Sequence, residues 1–211
     1  MGISNVAIWI TIMEYLGSIA FAASGALVAM KKHMDIFGVI VLGLTTATAG
    51  GVLRDLILDV VPPSMFRNPT YAFAAMITSV VLFLKPVRNI VNNPGPTYDR
   101  IMFLADTIGL AVFTVVGVRT AIAVMPSAGL FLQVFIGVVS AVGGGVLRDV
   151  MAGVPAYIFT KHVYAVASAA GALVCGLLWR FGSLWAMLAG FLVVFIIRCM
   201  ASHYKWNLPR C

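Results

Sequence analysis

The chain has 211 residues, of which 62% are apolar and only 10% charged, with a formal net charge of +7. An ordinary soluble domain is nearer half apolar and a quarter charged, so this composition excludes a soluble globular protein and leaves no room for a separate soluble domain. At roughly 20 residues per crossing, it predicts about seven membrane helices with short connections.

The predicted spans are 8–30, 36–59, 69–84, 101–121, 128–150, 162–180 and 183–201. No Lys or Arg precedes Lys31 and Glu14 interrupts the first apolar run, so this segment lacks the basic start of a signal peptide and reads as a retained helix. KKHMD separates the first two spans, and VVPPSMFRNP the next two. KPVRNIVNNPGPTYDR follows the third, its prolines and asparagines barring helix. VMPSAG, MAGVPAYIFTK and WRFGS divide the rest, and 202–211 forms a cytoplasmic tail.

With the amino terminus outside, the cytoplasmic side holds Lys31, Lys32, Lys85, Arg88, Arg100, Lys161, Arg198, Lys205 and Arg210, against Arg67, Arg119 and Arg180 outside. The positive-inside rule therefore selects an outer amino terminus and a cytoplasmic carboxyl terminus. This collar suits anionic lipid heads; no basic segment is long enough to track a nucleic acid. Cys175, Cys199 and Cys211 are far apart without CxxC spacing, which gives neither a zinc pattern nor a disulfide framework. His33, His162 and His203 stand singly near predicted helix ends.

The hexapeptide GGVLRD occurs at 50–55 and again at 144–149, within a longer repeat. Glu14, Gly17, Phe21 and Gly25 match Asp106, Gly109, Phe113 and Gly117 at the same spacing, and Tyr71-Ala72-x-Ala74 matches Tyr164-Ala165-x-Ala167. Each copy holds three spans, an odd number, so the second must enter the membrane from the opposite face. The expected fold is an all-α membrane protein with seven transmembrane helices: a first three-helix repeat at 8–84, an inverted repeat at 101–180 and an additional helix at 183–201. Inverted repeats place a solute site or pathway near the midplane between copies.

Gly50 and Gly51 in the second span, and Gly143, Gly144 and Gly145 in the fifth, are candidate kinks, because consecutive glycines favour bending or unwinding. Freed carbonyls must then be packed in protein or line a wet cavity; the competing reading is close helix packing. Thr45, Thr46, Thr48 and Ser140 lie just upstream and offer hydroxyls to a partly dehydrated cation. The expectation is no fixed metal and no cofactor, with a transient monovalent cation near Thr48, Gly50 and Gly144.

Glu14, Arg54, Asp55, Asp106, Arg148 and Asp149 all fall within predicted spans, where each costs about 2.5–3.5 kcal/mol at the centre of a lipid-facing helix. They must face inward. Depth pairs Glu14 with Arg54 and Asp106 with Arg148, to hold the bundle together or to line a pathway. Adjacent Arg and Asp point about 100° apart on a helix and need not neutralise each other.

The doubled GGVLRD, the KK-x-x-D-x-x-G segment from Lys31 to Gly38 and the three-plus-three-plus-one layout resemble the trimeric intracellular cation channel family, prokaryotic branch. That branch overlaps a group of bacterial inner-membrane proteins with duplicated GGVLRD motifs. The resemblance runs from about Glu14 to Met200. It implies a homotrimer in a bacterial or archaeal cell membrane, with a pore in each subunit lined by the second and fifth helices, conducting potassium and sodium. Bound lipid is an expected companion. Ala49 departs from a three-glycine pattern in the first copy, and the arginine of the motif does not match the lysine gating element of animal members.

Two functions compete: a monovalent cation channel, and a secondary transporter of a small solute such as an amino acid, which uses inverted repeats equally well. An enzyme is not expected, because no His cluster, no nucleophile with its base and no phosphate loop occurs.

Overall fold

In the computed structural model, residues 3–84, 91, 95–127, 129–160 and 163–206 are described. Lys85, Arg88, Lys161, His162, Arg210 and Cys211, all used in the charge or ligand reading, lie outside them. The helices are α1 (Ile3–Lys31), α2 (Ile36–Ile57), α3 (Ser64–Arg67), α4 (Thr70–Phe83), α5 (Pro96–Val124), α6 (Leu130–Met151), α7 (Tyr157–Thr160), α8 (Tyr164–Leu178) and α9 (Ser183–His203), with a 3-10 turn at Trp179–Phe181. Among the described residues, six helices are long and apolar enough to cross a membrane, whereas α4 is a shorter apolar helix.

Local chemistry sets the ends. The Asp35 carboxylate accepts from Gly38 N at 2.8 Å and caps α2. Helix α5 begins at Pro96, earlier than expected: the proline that was expected to bar helix occupies the first turn, where no N–H is needed and its φ already suits the helix. Helices α2 and α6 end alike. Asp59 N and Val60 N bond Leu56 O and Asp55 O, while Gly153 N and Val154 N bond Val150 O and Asp149 O. Asp59 and Gly153 both adopt positive φ, 56° and 62°, giving two Schellman terminations. The short helices α3 and α7 follow these ends in stretches expected to be loop.

Helix α1 packs on α2, α4 and α5; α6 packs on α2, α5 and α8; α9 lies against α8 and α5. Two contacts are reciprocal. A Cβ on Gly50 would overlap the carbonyl oxygen of Ser140, and a Cβ on Gly144 would overlap that of Thr46. Likewise Gly17 receives Val112 and Phe113, while Gly109 receives Phe21, and the two rings stack at 5.3 Å. In both crossings a later residue of one helix meets an earlier residue of the other, so α2 runs antiparallel to α6 and α1 antiparallel to α5. Both motif helices remain α-helical through their glycines. They do not unwind, and Gly50 and Gly144 serve backbone-to-backbone approach.

Candidate functional site

Two cavities lie at opposite ends of α1 and α5. The smaller, ≈ 330 Å³, is walled by Glu14, Ser18, Thr48, Gly51, Arg54 and Arg119 among others. The larger, ≈ 800 Å³, is walled by Lys31, Lys32, Tyr98, Phe103, Asp149 and Arg198 among others. Phe113 is among the residues lining the smaller cavity, and Phe21 stacks on it at 5.3 Å.

The motif residues do the same work in both copies. Arg54 Nε donates to Asp55 Oδ1 at 2.8 Å, and Arg148 Nε to Asp149 Oδ1 at 2.8 Å. The other oxygen of each aspartate accepts the first backbone N–H of the following short helix: Ser64 N at 2.6 Å and Tyr157 N at 2.7 Å. A carboxylate there meets a guanidinium and a helix start at once, both favourable to its charge. The divergence of about 100° left neighbouring Arg and Asp free not to neutralise each other; in the structure they do pair, in both copies. Their Cβ atoms diverge, but the long arginine stem folds back along the helix and brings Nε to the carboxylate.

Asp106 and Arg148 are brought together, Nη1 to Oδ1 at 2.8 Å, both fully buried at 0% exposure. Arg148 Nη1 also donates to Ser24 Oγ, and the Tyr164 hydroxyl donates to Asp106 Oδ1 at 3.4 Å. Glu14 and Arg54 line the same cavity but form no ion pair among the described residues. Glu14 Oε2 instead accepts from the Tyr71 hydroxyl at 2.7 Å, and Arg54 turns to Asp55 at 2.7 Å. The expected Glu14–Arg54 pair is therefore replaced by two separate contacts, because each partner finds a closer group.

The hydroxyls divide. Thr48 reaches the smaller cavity while donating to Leu44 O at 2.8 Å. Thr46 and Ser140 are buried and line neither wall: their carbonyls stand in the α2–α6 crossing, while the Thr46 side chain faces Gly25 of α1 and the Ser140 side chain faces Gly117 of α5, Thr46 donating to Leu42 O at 2.6 Å. Thr45 is half-buried and lines neither cavity. Gly51 borders the smaller cavity, and a Cβ there would make only ordinary contact with Arg54 Nη2 at 3.8 Å, whereas a Cβ on Gly145 would lie 3.2 Å from the Tyr164 hydroxyl. Gly143 faces Leu53 and Gly50.

Arg198 was grouped with the basic collar. It is instead buried at 1% exposure, 3.6 Å from Asp106 Oδ2, between the ring faces of Phe103 and Tyr164 at 5.1 and 4.9 Å. Its place in α9, a turn from the helix end, imitates a topology marker in sequence; only packing separates the two roles. Outside the long helices, burial and then the Asp106 carboxylate raise the Tyr157 phenol above its ordinary value and keep it protonated. Among the described residues no cluster of three metal-ligating side chains occurs.

Residues 11–86 and 103–180 match the family model described as "Glycine transporter". The UPF0126 inner membrane protein YadS of Escherichia coli (strain K12) is 35% identical over 200 residues, covering 93% of each chain. The UPF0126 membrane protein YvgT of Bacillus subtilis (strain 168) is 32% identical over 198 residues, covering 94% of each. Among solved structures, a TRIC cation channel studied for its conductance superposes with a TM-score of 0.83 at 35% identity, over 95% of this chain and 96% of that one. The TRIC trimeric intracellular cation channel orthologue from Rhodobacter sphaeroides gives 0.84 at 31% identity, over 93% and 98%.

Proposed function

The chain belongs to the family of UPF0126 bacterial inner-membrane proteins and prokaryotic TRIC channels, and on that premise we propose that it is a monovalent cation channel, assembled as a homotrimer with a pathway through each subunit. The observation that carries the pathway is the pair of charged cavities at opposite ends of α1 and α5.

The reading extends to topology. Seven membrane helices form two three-helix units of opposite direction, 8–84 and 101–180, with 183–201 added; α4 counts as the third. The reciprocal Gly50–Ser140 and Gly144–Thr46 contacts support this, since each becomes the other when the copies are exchanged. In this arrangement Glu14, Thr48 and Gly51 line the outer half of the pathway, while Gly145, Asp106 and Arg148 flank the inner half. Potassium or sodium passes as a transient guest, without a fixed metal, in a membrane whose lipid covers the apolar faces.

A second reading is a carrier for a small amino acid. The family model's description favours it, as does the smaller cavity, where the carboxylate of Glu14 and the guanidinium of Arg119 offer partners to both ends of a zwitterion. Single-channel recording of the purified protein in planar bilayers separates the two. Unitary potassium currents above about a million ions per second mark a channel, because a carrier waits for microsecond-to-millisecond rearrangements. Saturable glycine uptake without unitary currents marks the carrier.

A further inference from the structure

We infer that Asp106 Oδ2 is a binding position for a monovalent cation, and that Arg198, from the helix outside the two paired units, occupies it as a tethered counter-ion. This rests on the cation-channel reading for its role in conduction, but not for the site itself.

The two oxygens of Asp106 are treated unequally. Oδ1 accepts from Arg148 and from the Tyr164 hydroxyl. Oδ2 is buried and accepts no hydrogen bond among the described residues. Its neighbour is Arg198 Nη2 at 3.6 Å, close enough for charge attraction but beyond normal hydrogen-bond length. Buried carboxylate oxygens are ordinarily hydrogen-bonded, so this one is under-coordinated toward Arg198. Arg198 belongs to the wall of the larger cavity, and Asp106 does not. A cation approaching Oδ2 from that cavity meets Arg198 first.

Charge points the same way. Asp106, Asp149, Arg148 and Arg198 form a buried group of two carboxylates and two guanidiniums, which is neutral. Neutralising Arg198 leaves one net negative charge beside the faces of Phe103 and Tyr164, which favour a cation. The first unit shows the position without this counter-ion. Glu14 corresponds to Asp106, takes a phenol from Tyr71 as Asp106 does from Tyr164, and lies in an open cavity wall. Helix α9 makes the difference.

The test uses the full-length protein, with Arg198→Met, Arg198→Gln, Arg198→Lys and the double variant Arg198→Met/Asp106→Asn. Thermal unfolding in detergent is compared in potassium and in N-methylglucamine at equal ionic strength, and potassium flux is measured in vesicles. Asp106 keeps its Arg148 bond in the single variants. The Met and Gln variants are expected to gain a potassium-dependent rise in Tm and a severalfold higher flux. Wild type and the double variant should show no such rise. No potassium-dependent shift in either neutral variant overturns the site. If neither folds, Arg198→Lys decides: it keeps the counter-ion, so it must show no potassium-dependent rise, and a rise as large as that expected of the neutral variants overturns the proposal. A potassium shift with no flux in any protein keeps the site and removes the channel reading; normal flux with no shift does the reverse.

Discussion

Gly50 lies so close to Ser140 that a β-carbon would overlap the Ser140 carbonyl oxygen, and Gly144 stands in the same relation to Thr46. Gly51, one residue along, has only Arg54 Nη2 within reach of a β-carbon, at 3.8 Å. Alanine at Gly50 or Gly144 must push the α2–α6 crossing apart and is expected to destabilise by about 1–3 kcal/mol or more. Gly51→Ala should fold as wild type and change only conduction. Thermal unfolding in detergent and potassium flux at equal protein density separate these effects; a loss of stability at Gly51 equal to that at Gly50 contradicts the assignment.

The buried Asp106–Arg148 pair is expected to behave differently from Glu14 and Arg54. Asp106→Ala leaves Arg148 and Arg198 with Asp149 as the one carboxylate of their buried group, an excess buried positive charge at a cost of about 3–5 kcal/mol. A double-mutant cycle should therefore give strong coupling for Asp106 with Arg148 and for Arg54 with Asp55. It should give little for Glu14 with Arg54. Strong coupling in the last pair means the two meet in the working protein.

Asp59 holds a positive φ where the second copy has Gly153. Asp59→Gly removes a side chain that disfavours this conformation, and is expected to stabilise by about 0.5–1 kcal/mol. Gly153→Asp should lose a comparable amount. The two unfolding midpoints, measured side by side, check the sign.

Cysteines placed at Arg67 and Arg119 should react with an impermeant thiol reagent from one face of the membrane, and a cysteine at Lys32 from the other. The native Cys175, Cys199 and Cys211 are first replaced. Arg119 borders the smaller cavity and Lys32 the larger, so labelling of both from one face contradicts a pathway with opposite mouths.

Much of the helix layout was legible because Pro, Asn and charge interrupt the apolar runs at nearly the observed ends. The inward faces were less so. A membrane helix is apolar toward lipid and toward its neighbours alike, so periodicity does not mark the packed side. Repetition did better: Gly17 and Phe21 against Gly109 and Phe113 name residues that meet across the α1–α5 crossing. What the letters hid was side-chain reach. Arg54 bends to its neighbour Asp55, and Arg198 turns into the bundle from a position that resembles a topology marker.

Asp55 and Asp149 each hold an arginine with one oxygen and the start of a connecting helix with the other. Each carboxylate thus ties a buried arginine to the first N–H of a connecting helix. Loss of either carboxylate frees both partners at once, so Asp55→Asn and Asp149→Asn should loosen the connecting helices as well as the arginines, which a fluorophore on exposed Phe66 or Phe159 reports from the surface.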